Sequence, residues 1–390
     1  MLRVINFWVI LITVSPVFYF ALPAVSMLDD MFLMVILTLT SLIKIVNLLN
    51  TTITKTRIII FLYILACCFV YKLSVVTVIG LLYLFKFPLI IICFMALVPR
   101  GDHRKQIAIF FKSILVIAVM LNLFFLIAQP YLISFGYDQQ YGGFYRNMGF
   151  FPNAQRNSFV ICLALVGLSY YFKERHRLTY FFLTIANFLT YSKKDQVIHL
   201  LILRGKTNLF FQILFSLPII FAVGVMVYLE YADLKVSDTI RGLLWLIPIQ
   251  NFSTWEWYFG WGPGLWGGHV STIFYSDLYF EFGLASLWGA SPDHYTFLSD
   301  GYWPHVLGEV GLIGICINLL LLNRIRSSII SINDKDHVKG LLVLFYLLGV
   351  YSLFMSSFEI NIMLVPVAFL VALSAKNIGH DNENCDSLPR

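Results

Sequence analysis

The chain passes from a polar insert into an apolar run at the sequence Ser299-Asp300-Gly301-Tyr302-Trp303-Pro304-His305-Val306-Leu307-Gly308-Glu309-Val310-Gly311. The insert before this point covers residues 229–304 and holds seven of the protein's eight tryptophans. The residues that follow are apolar over a length close to the roughly 20 residues that cross a bilayer. This stretch therefore predicts a loop that ends where the chain enters a membrane.

The composition of the whole chain is typical of a membrane protein. Apolar residues make up 59% of it and charged residues 12%, whereas a soluble domain has about 45–50% and 25%. The apolar residues form runs near bilayer length, which predicts an all-α polytopic membrane protein with about 12 transmembrane helices. The predicted spans are 4–25, 31–49, two sharing 58–98, 106–127, 157–172, 178–191, 196–204, 207–228, 306–323, 339–356 and 359–375.

Basic residues between the spans agree on one orientation. Placing Arg3 in the cytoplasm also places the basic clusters at 100–105, 173–177 and 324–335 there, as the positive-inside rule requires. The net charge of +6 is thus mainly a topology signal and does not indicate a nucleic-acid partner. Both termini are then cytoplasmic.

This orientation divides the chain into four parts. Residues 1–228 carry spans 1–9 and include an outer loop at 128–156. Residues 229–304 form one large loop on the outer face between spans 9 and 10, which is periplasmic if the membrane is a bacterial inner membrane. Residues 305–375 carry spans 10–12, and 376–390 form a cytoplasmic tail.

The first outer loop ends with two arginines, Arg146 and Arg156. Arginine on the outer side runs against the cytoplasmic bias of basic residues, and its planar guanidinium matches phosphate oxygens in a two-pronged contact. Either side chain can instead snorkel to the interface and anchor the loop there. The pair therefore predicts an interfacial anchor or an anion site.

The next outer tip, Ser192-Lys193-Lys194-Asp195, joins two short predicted spans. Because these spans fall short of the roughly 20 residues needed to cross unaided, the charged tip is expected below the membrane surface. A lysine at that depth must face protein or a water-filled cavity. Lys194 and Asp195 can form a structural ion pair there, or Lys193 can contribute to an anion site.

The large loop carries a further basic candidate, Arg241. Residues 237–245 predict the start of an amphipathic helix with Ser237 or Asp238 as its N-cap. A cation in the first turns of a helix is unfavourable unless an anion offsets it, so Arg241 is a candidate phosphate ligand. The glycine-rich turn Phe259–Gly264 matches neither a P-loop nor a dinucleotide-binding fingerprint.

The tryptophans of the loop predict contact either with the membrane interface or with sugar. Indole rings collect at membrane interfaces, and their flat faces with polar edges also suit stacking on sugar rings near a membrane. The glycan-binding candidates at this stage are Trp245, Trp261, Tyr302 and Trp303.

Three ionisable residues near the end of the loop are candidates for catalysis. Asp300 and His305 precede the predicted span, and either can orient or deprotonate a hydroxyl group. Glu309 has a second explanation, because a carboxylate favours a helix N-terminus. The sequence shows no paired metal-ligand spacing, so neither a metal site nor another cofactor is predicted.

With these residues in place, the chain resembles the O-antigen polymerase and O-antigen ligase superfamily of bacterial inner-membrane proteins. Four segments carry the resemblance in the family's order and spacing. They are 146–157, with Arg, Gly, an aromatic and Pro-Asn before a span; Ser192-Lys193, where the family usually has Ser-Arg; 241–264, with an Arg, Trp and Phe-Gly-x-Gly series; and 300–314, which ends in Glu-x-Gly-x-x-Gly.

One of these segments favours the polymerases. Ligases of this superfamily typically have a His-Asn pair shortly before that glutamate, whereas this chain has Asp300-Gly301. An Asp followed by a small residue and a Tyr is more similar to the polymerases. Lys193 also departs from the family's Arg, which puts a two-pronged diphosphate contact at that position in doubt.

The resemblance implies a glycosyltransferase of lipopolysaccharide biosynthesis. Its substrates would be oligosaccharide repeat units on undecaprenyl diphosphate, joined at the periplasmic face, and a chain-length regulator protein can be a further partner. Asp300 would orient the acceptor hydroxyl, with His305 as the second candidate for this task. The diphosphate would be bound by Arg146, Arg156, Lys193 and Arg241.

Three alternatives stay open. The first is a ligase that transfers lipid-linked glycan to lipid A core, with His305 as the base. A flippase or transporter of lipid-linked oligosaccharide suits twelve spans, but transporters place their sites near the bilayer midplane, whereas the polar and aromatic residues here concentrate outside. A structural subunit of an envelope assembly would leave the outer charges without a task.

Overall fold

The structure, a computed structural model, is nearly all helical. It describes residues 2–18, 63, 66–67, 70–71, 74–99, 101–132, 140–141, 144–151, 154–172, 177–190, 239–295, 297–299, 301–332, 335–352, 357–358 and 360–376. Within these residues the only strands are the two-residue β1 (Gln140–Tyr141) and β2 (Phe144–Tyr145), which pair antiparallel.

The helices are numbered in chain order. They are α1 (Leu2–Val14), α2 (Val75–Leu84), α3 (Lys86–Leu97), α4 (Arg104–Leu132), α5 (Ala154–Val166), α6 (Arg177–Phe188), α7 (Ile240–Asn251), α8 (Thr254–Phe259), α9 (His269–Ile273), α10 (Leu278–Glu281), α11 (Tyr302–Ile330), α12 (Lys335–Ser352) and α13 (Asn361–Lys376). Short 3₁₀ turns follow α1 at Ser15–Phe18 and α10 at Leu284–Ser286, and α5 continues into a π-turn at Gly167–Tyr171.

Several of these helices are suited to a membrane. In the described part of the chain, two are long and apolar enough to cross one: α11, and α4 over Arg104–Gln129. The α2–α3 pair, bent by 69° at Phe85, makes a third if it counts as one span. These helices indicate a membrane protein.

The count of about 12 spans and the side on which the large loop lies stay predictions. The predicted spans 31–49, 196–204 and 207–228 lie outside the described residues, as does nearly all of the predicted tail. The first predicted span, 4–25, corresponds to a helix that ends at Val14. Pro16 explains this end, because proline disfavours α geometry in the residue before it and lacks an N–H to donate.

The apolar core lies around α13. Every residue of α13 from Asn361 to Ser374 is buried, as expected for a helix that is apolar around its whole circumference. It packs against α1, α3 and α12. Phe94 on α3 contacts Phe369 on α13, with ring centroids 5.3 Å apart.

The longest apolar helix near the predicted site, α11, is broken inside. Gly311 has φ 61° and ψ −161°, which interrupts the helical backbone. Residues 239–299 form a second, smaller core before α11 begins, with Trp266, Tyr279 and Leu298 fully buried. The large loop, where it is described, is therefore a packed unit that is held next to the start of α11.

Candidate functional site at the start of α11

A histidine and a glutamate form a buried pair in the first turns of α11. His305 Nε2 lies 2.8 Å from Glu309 Oε2, and the two side chains are 2% and 0% exposed. Their spacing of four residues puts both on one face of the helix. Glu309 was predicted to lie at a helix N-terminus, but α11 begins at Tyr302. The helix dipole acts mainly on the first turn, and Glu309 lies beyond that turn. Its partner is His305 instead.

The glycine-rich loop bonds to the same helix face. The Trp261 N–H donates to the Gly308 carbonyl at 2.8 Å, and the Gly262 N–H donates to the Glu309 carbonyl at 3.0 Å. These carbonyls lie just before the break at Gly311, where the helical hydrogen-bond ladder is interrupted. The Trp266 N–H donates to Glu309 Oε1 at 3.3 Å. Glu309 thus joins the loop to the helix with both its backbone and its side chain.

Two glycines permit this contact. Gly260 has φ 71°, and a Cβ there would lie 2.5 Å from the Glu309 carbonyl carbon. Gly311 has φ 61°, and a Cβ there would lie 2.6 Å from the Tyr258 carbonyl carbon. Positive φ angles and such short distances both exclude side chains. The loop and helix backbones therefore touch directly.

An aromatic cluster supports the loop from its other side. Trp266 is fully buried and its Nε1–H donates to the Leu244 carbonyl at 3.1 Å, which ties α7 to the site. The Tyr279 hydroxyl accepts from the Gly267 N–H at 2.8 Å and lies 2.7 Å from Ser271 Oγ. Burial raises the pKa of Tyr279, so this hydroxyl stays protonated and available as a donor.

Tyr302 connects the start of α11 to the bend between α2 and α3. Its hydroxyl lies 3.0 Å from the Leu84 carbonyl and 2.9 Å from Asn318 Oδ1. The ring is 2% exposed, and it meets the His305 ring edge-on at 6.0 Å. The structure therefore gives this predicted glycan-binding residue a position inside the protein, with a packing task of its own.

A prediction follows for this hydroxyl. Tyr302→Phe is expected to lower the free energy of unfolding by about 1–3 kcal/mol, because buried acceptors lose their donor. Tyr346→Phe is the matched control, since its hydroxyl accepts from Arg326 at an exposed position farther along α11. It should change stability by less than about 0.5 kcal/mol. Denaturant unfolding of the purified protein in detergent measures both, and equal losses in the two variants would contradict the assignment.

The bend carries a residue that the sequence argument missed, Lys86. It is 5% exposed although it carries a charge, and its Nζ lies 4.4 Å from the centre of the Tyr83 ring. Tyr83 in turn contacts the ring of His269 on α9 at 5.5 Å. Lys86 could have been recognised from the sequence, because an ionisable residue within an apolar run of span length is a candidate functional residue by default.

Three buried asparagines fix the loop that carries Arg146 and Arg156. The side-chain amides of Asn147 and Asn157 donate to Asn122 Oδ1 at 2.8 and 3.0 Å. The Asn147 amide also donates to the Ala186 carbonyl at 2.9 Å. Arg146 is half-buried, and its Nε–H donates to the Thr190 carbonyl at 2.8 Å. Arg156 is half-buried too, one residue before Asn157 on α5.

The end of α12 links this loop to the start of α11. The Tyr351 hydroxyl donates to the carbonyl of Gln155, next to Arg156, at 3.3 Å. Ser352, the following residue, accepts from the Trp303 Nε1–H at 2.9 Å. Both regions with predicted site residues therefore contact the last turn of one helix.

The remaining candidates are placed as follows. Arg241 is exposed on α7 and lies over the Phe297 ring at 5.9 Å. The predicted N-cap at Ser237 or Asp238 is wrong, because Thr239 caps α7 and accepts from the Gly242 N–H at 3.0 Å. Asp300 and Lys193 lie outside the described residues.

The structure thus brings together several of the predicted residues. His305, Glu309, Tyr302, Trp303 and Trp261 meet at the start of α11. Trp245 lies on α7, partly exposed, one helical turn after Arg241. The roles predicted for all of these residues in catalysis and binding stay predictions.

Fold and site together define an all-helical membrane protein with a buried His–Glu pair under an aromatic, glycine-rich loop. No known protein-family model matches this chain, and a search of curated proteins also finds no match.

Proposed function

We propose that the protein is an O-antigen polymerase of the bacterial inner membrane. It joins oligosaccharide repeat units held on undecaprenyl diphosphate, at the periplasmic face. The observation that supports this most is the packing of the loop 259–268 onto the start of α11. These parts belong to two of the four segments that resemble the superfamily, and the segment 146–157 joins them through α12. Segments that share one function need to share one site.

The proposed reaction is a glycosyl transfer. The acceptor hydroxyl oxygen attacks the anomeric carbon of the lipid-linked donor, and the bond from that carbon to the diphosphate oxygen breaks. Undecaprenyl diphosphate leaves with the electron pair, and the acceptor proton passes to a base. Such a step needs cations at the leaving group and a base or hydrogen-bond acceptor at the hydroxyl.

The cations of the proposal are Arg146, Arg156, Lys193 and Arg241. Arginine suits the diphosphate because its planar fork can bind two oxygens at once. Lys86 is a further cation near this end of α11, since it follows the Leu84 carbonyl that Tyr302 contacts.

The base of the proposal is Asp300, one residue before the glycine that precedes α11. His305 and Glu309 take a positioning role, because both are buried beneath the loop that they hold. A buried pair of polar side chains with a hydrogen bond to neighbouring backbone is suited to fixing one arrangement of the chain. The aromatic rings around the loop then line the sugar path, with Trp261 and Trp303 half-buried at its edge.

A ligase is the second candidate, and one observation favours it. His305 Nε2 faces the Glu309 carboxylate, which is how a carboxylate orients an imidazole for proton uptake at its other nitrogen. If the loop opens to admit substrate, His305 would act as base at Nδ1 and lipid A core would be the acceptor.

The surface-glycan profile of a deletion strain separates these functions. Loss of a polymerase is expected to leave a single repeat unit on the lipid A core, and the wild-type gene should restore the long chains. Loss of a ligase would instead leave bare core with long lipid-linked polymer. Accumulation of repeat units on the cytoplasmic side would favour the transporter.

Arg241 gives a prediction for the diphosphate site. Arg241→Lys keeps the charge but loses the two-pronged contact, so polymer formation should fall severely at an unchanged protein level. Arg326→Lys is the matched control, because Arg326 is an exposed arginine on α11 that bonds to Tyr346, and it should retain wild-type polymer. Full activity of Arg241→Ala, measured as glycan chain length, would remove Arg241 from the site.

A further inference from the structure

The helices α7 and α8, residues 240–259, carry exposed aromatic and aliphatic side chains. Trp245 and Ile249 are 37% and 45% exposed on α7, one helical turn apart. Trp255 and Tyr258 are 59% and 51% exposed on α8. From Gly242 to Trp255 the sequence has no Asp, Glu, Lys, Arg or His. The charged residues Arg241 and Glu256 lie outside this stretch, and an apolar surface of this kind indicates a partner that is itself apolar.

The position of this surface along α11 indicates which partner. Both helices pack against α11, and the carbonyl of Tyr258 lies beside Gly311. Gly311 follows Tyr302 by nine residues, which corresponds to about 13 Å along a helix that rises 1.5 Å per residue. The contact is therefore well inside α11, away from its first residue.

The length of α11 allows the depth of the Tyr258–Gly311 contact in a bilayer to be calculated. Taken as one rod across the break at Gly311, its 29 residues give at most about 43 Å, close to the roughly 40–45 Å of a bilayer with its headgroups. The hydrocarbon core takes about 30 Å of this, which leaves about 6 Å for headgroups on each side. A contact about 13 Å from the start of α11 therefore falls several ångströms inside the hydrocarbon boundary.

The α2 helix also contacts the loop that follows α8. The Val76 carbonyl oxygen would lie 2.7 Å from a Cβ on Gly264, so the loop that follows α8 touches the first turn of α2. That pair passes as a membrane span if it is counted as one. The loop is thus held between two membrane-suited elements.

We infer that α7 and α8 lie in the bilayer, at the boundary between headgroups and acyl chains of the leaflet where α11 begins. Their partner is lipid, because they lie beside a span that itself exposes Leu312, Leu319 and Leu320. Tryptophan and tyrosine are the side chains that prefer this boundary. Amphipathic helices of this kind typically sink about 5–10 Å into it. The inference needs α11 to span the membrane and does not depend on the glycan reaction.

Spin labels can measure this depth. Nitroxides are attached to cysteines at Trp255 and, as a second site, Ile249, in full-length protein whose native cysteines are replaced by serine, reconstituted in lipid nanodiscs. Asp293, exposed in the same insert, serves as the water control, and Leu319 on α11 serves as the lipid control. Collision with oxygen reports lipid and collision with a nickel chelate reports water.

The labels at Trp255 and Ile249 are expected to favour oxygen over nickel several-fold more than the label at Asp293, with a ratio near that at Leu319. Labels at both Trp255 and Ile249 that match Asp293 would overturn the inference, and so would a Leu319 label that reads as water. Each labelled variant is compared with the wild-type unfolding midpoint. If the Trp255 variant fails to fold, Ile249 alone decides by the same comparison.

Discussion

Glu309→Ala is expected to destabilise the protein by about 1–3 kcal/mol for each of two buried groups that lose their partner. The loss has two sources in this structure. His305 loses the carboxylate 2.8 Å from its Nε2, and the buried Trp266 N–H loses its acceptor. The loop 259–268 should then open from α11 more readily, because the bonds to the Gly308 and Glu309 carbonyls remain but the side-chain bond is lost. Limited proteolysis between residues 239 and 299, together with denaturant unfolding, measures the effect.

Two variants control this result. Glu281→Ala removes an exposed carboxylate from the same insert and should stay within about 0.5 kcal/mol of wild type. Glu309→Gln keeps an acceptor for Trp266 and should lose less stability than the alanine variant. A Glu309→Ala protein as stable and protease-resistant as Glu281→Ala would mean that the pair does not hold the loop.

Asp300→Asn is the variant with the largest expected effect on turnover. If the carboxylate takes or orients the acceptor proton, the amide keeps size and shape while activity falls by about 10²–10⁴, the usual range for a lost general base. Its neighbours, Gly301 with φ 99° and the buried Tyr302, fix the backbone where α11 begins. Lipid-linked donor should still bind, because the cations of the proposal are unchanged.

The comparison with His305→Ala distinguishes a positioning role of His305 from a catalytic role. His305→Ala should lower activity in proportion to the folded protein that remains, since its task is to hold the loop with Glu309. Turnover is measured on folded protein at matched concentration, with binding of lipid-linked donor measured separately. Near-normal polymer formation by Asp300→Asn, beside an inactive but folded His305→Ala, would move the base to His305 and favour the ligase.

The helical, membrane-suited fold follows from the sequence because it depends on composition and run length. The boundaries of α11 do not. The predicted span started at residue 306, whereas α11 starts at Tyr302, because Pro304 is tolerated in a first turn whose N–H groups have no helical partner. The break at Gly311 could not be predicted, since the Tyr258 backbone that packs against it is distant in the sequence.

The sequence predicted the residues of the candidate site better than the contacts between them. His305 and Glu309 were separate candidates, although their i, i+4 spacing indicated that they share a helix face. The hydrogen bonds from Trp261, Gly262 and Trp266 depend on how the loop folds back, and no local pattern encodes that. Trp266 was one of the loop tryptophans predicted to contact either the membrane interface or sugar, yet it is fully buried and donates to the Leu244 carbonyl.

The most direct measurement is polymer formation by the purified protein in lipid vesicles supplied with one defined undecaprenyl-diphosphate-linked repeat unit. The proposed function predicts a ladder of lipid-linked products that grow by whole repeat units, with undecaprenyl diphosphate released in equal number to the linkages formed. Donor that stays unpolymerised until lipid A core is added, and is then transferred to it, would contradict the polymerase and identify a ligase.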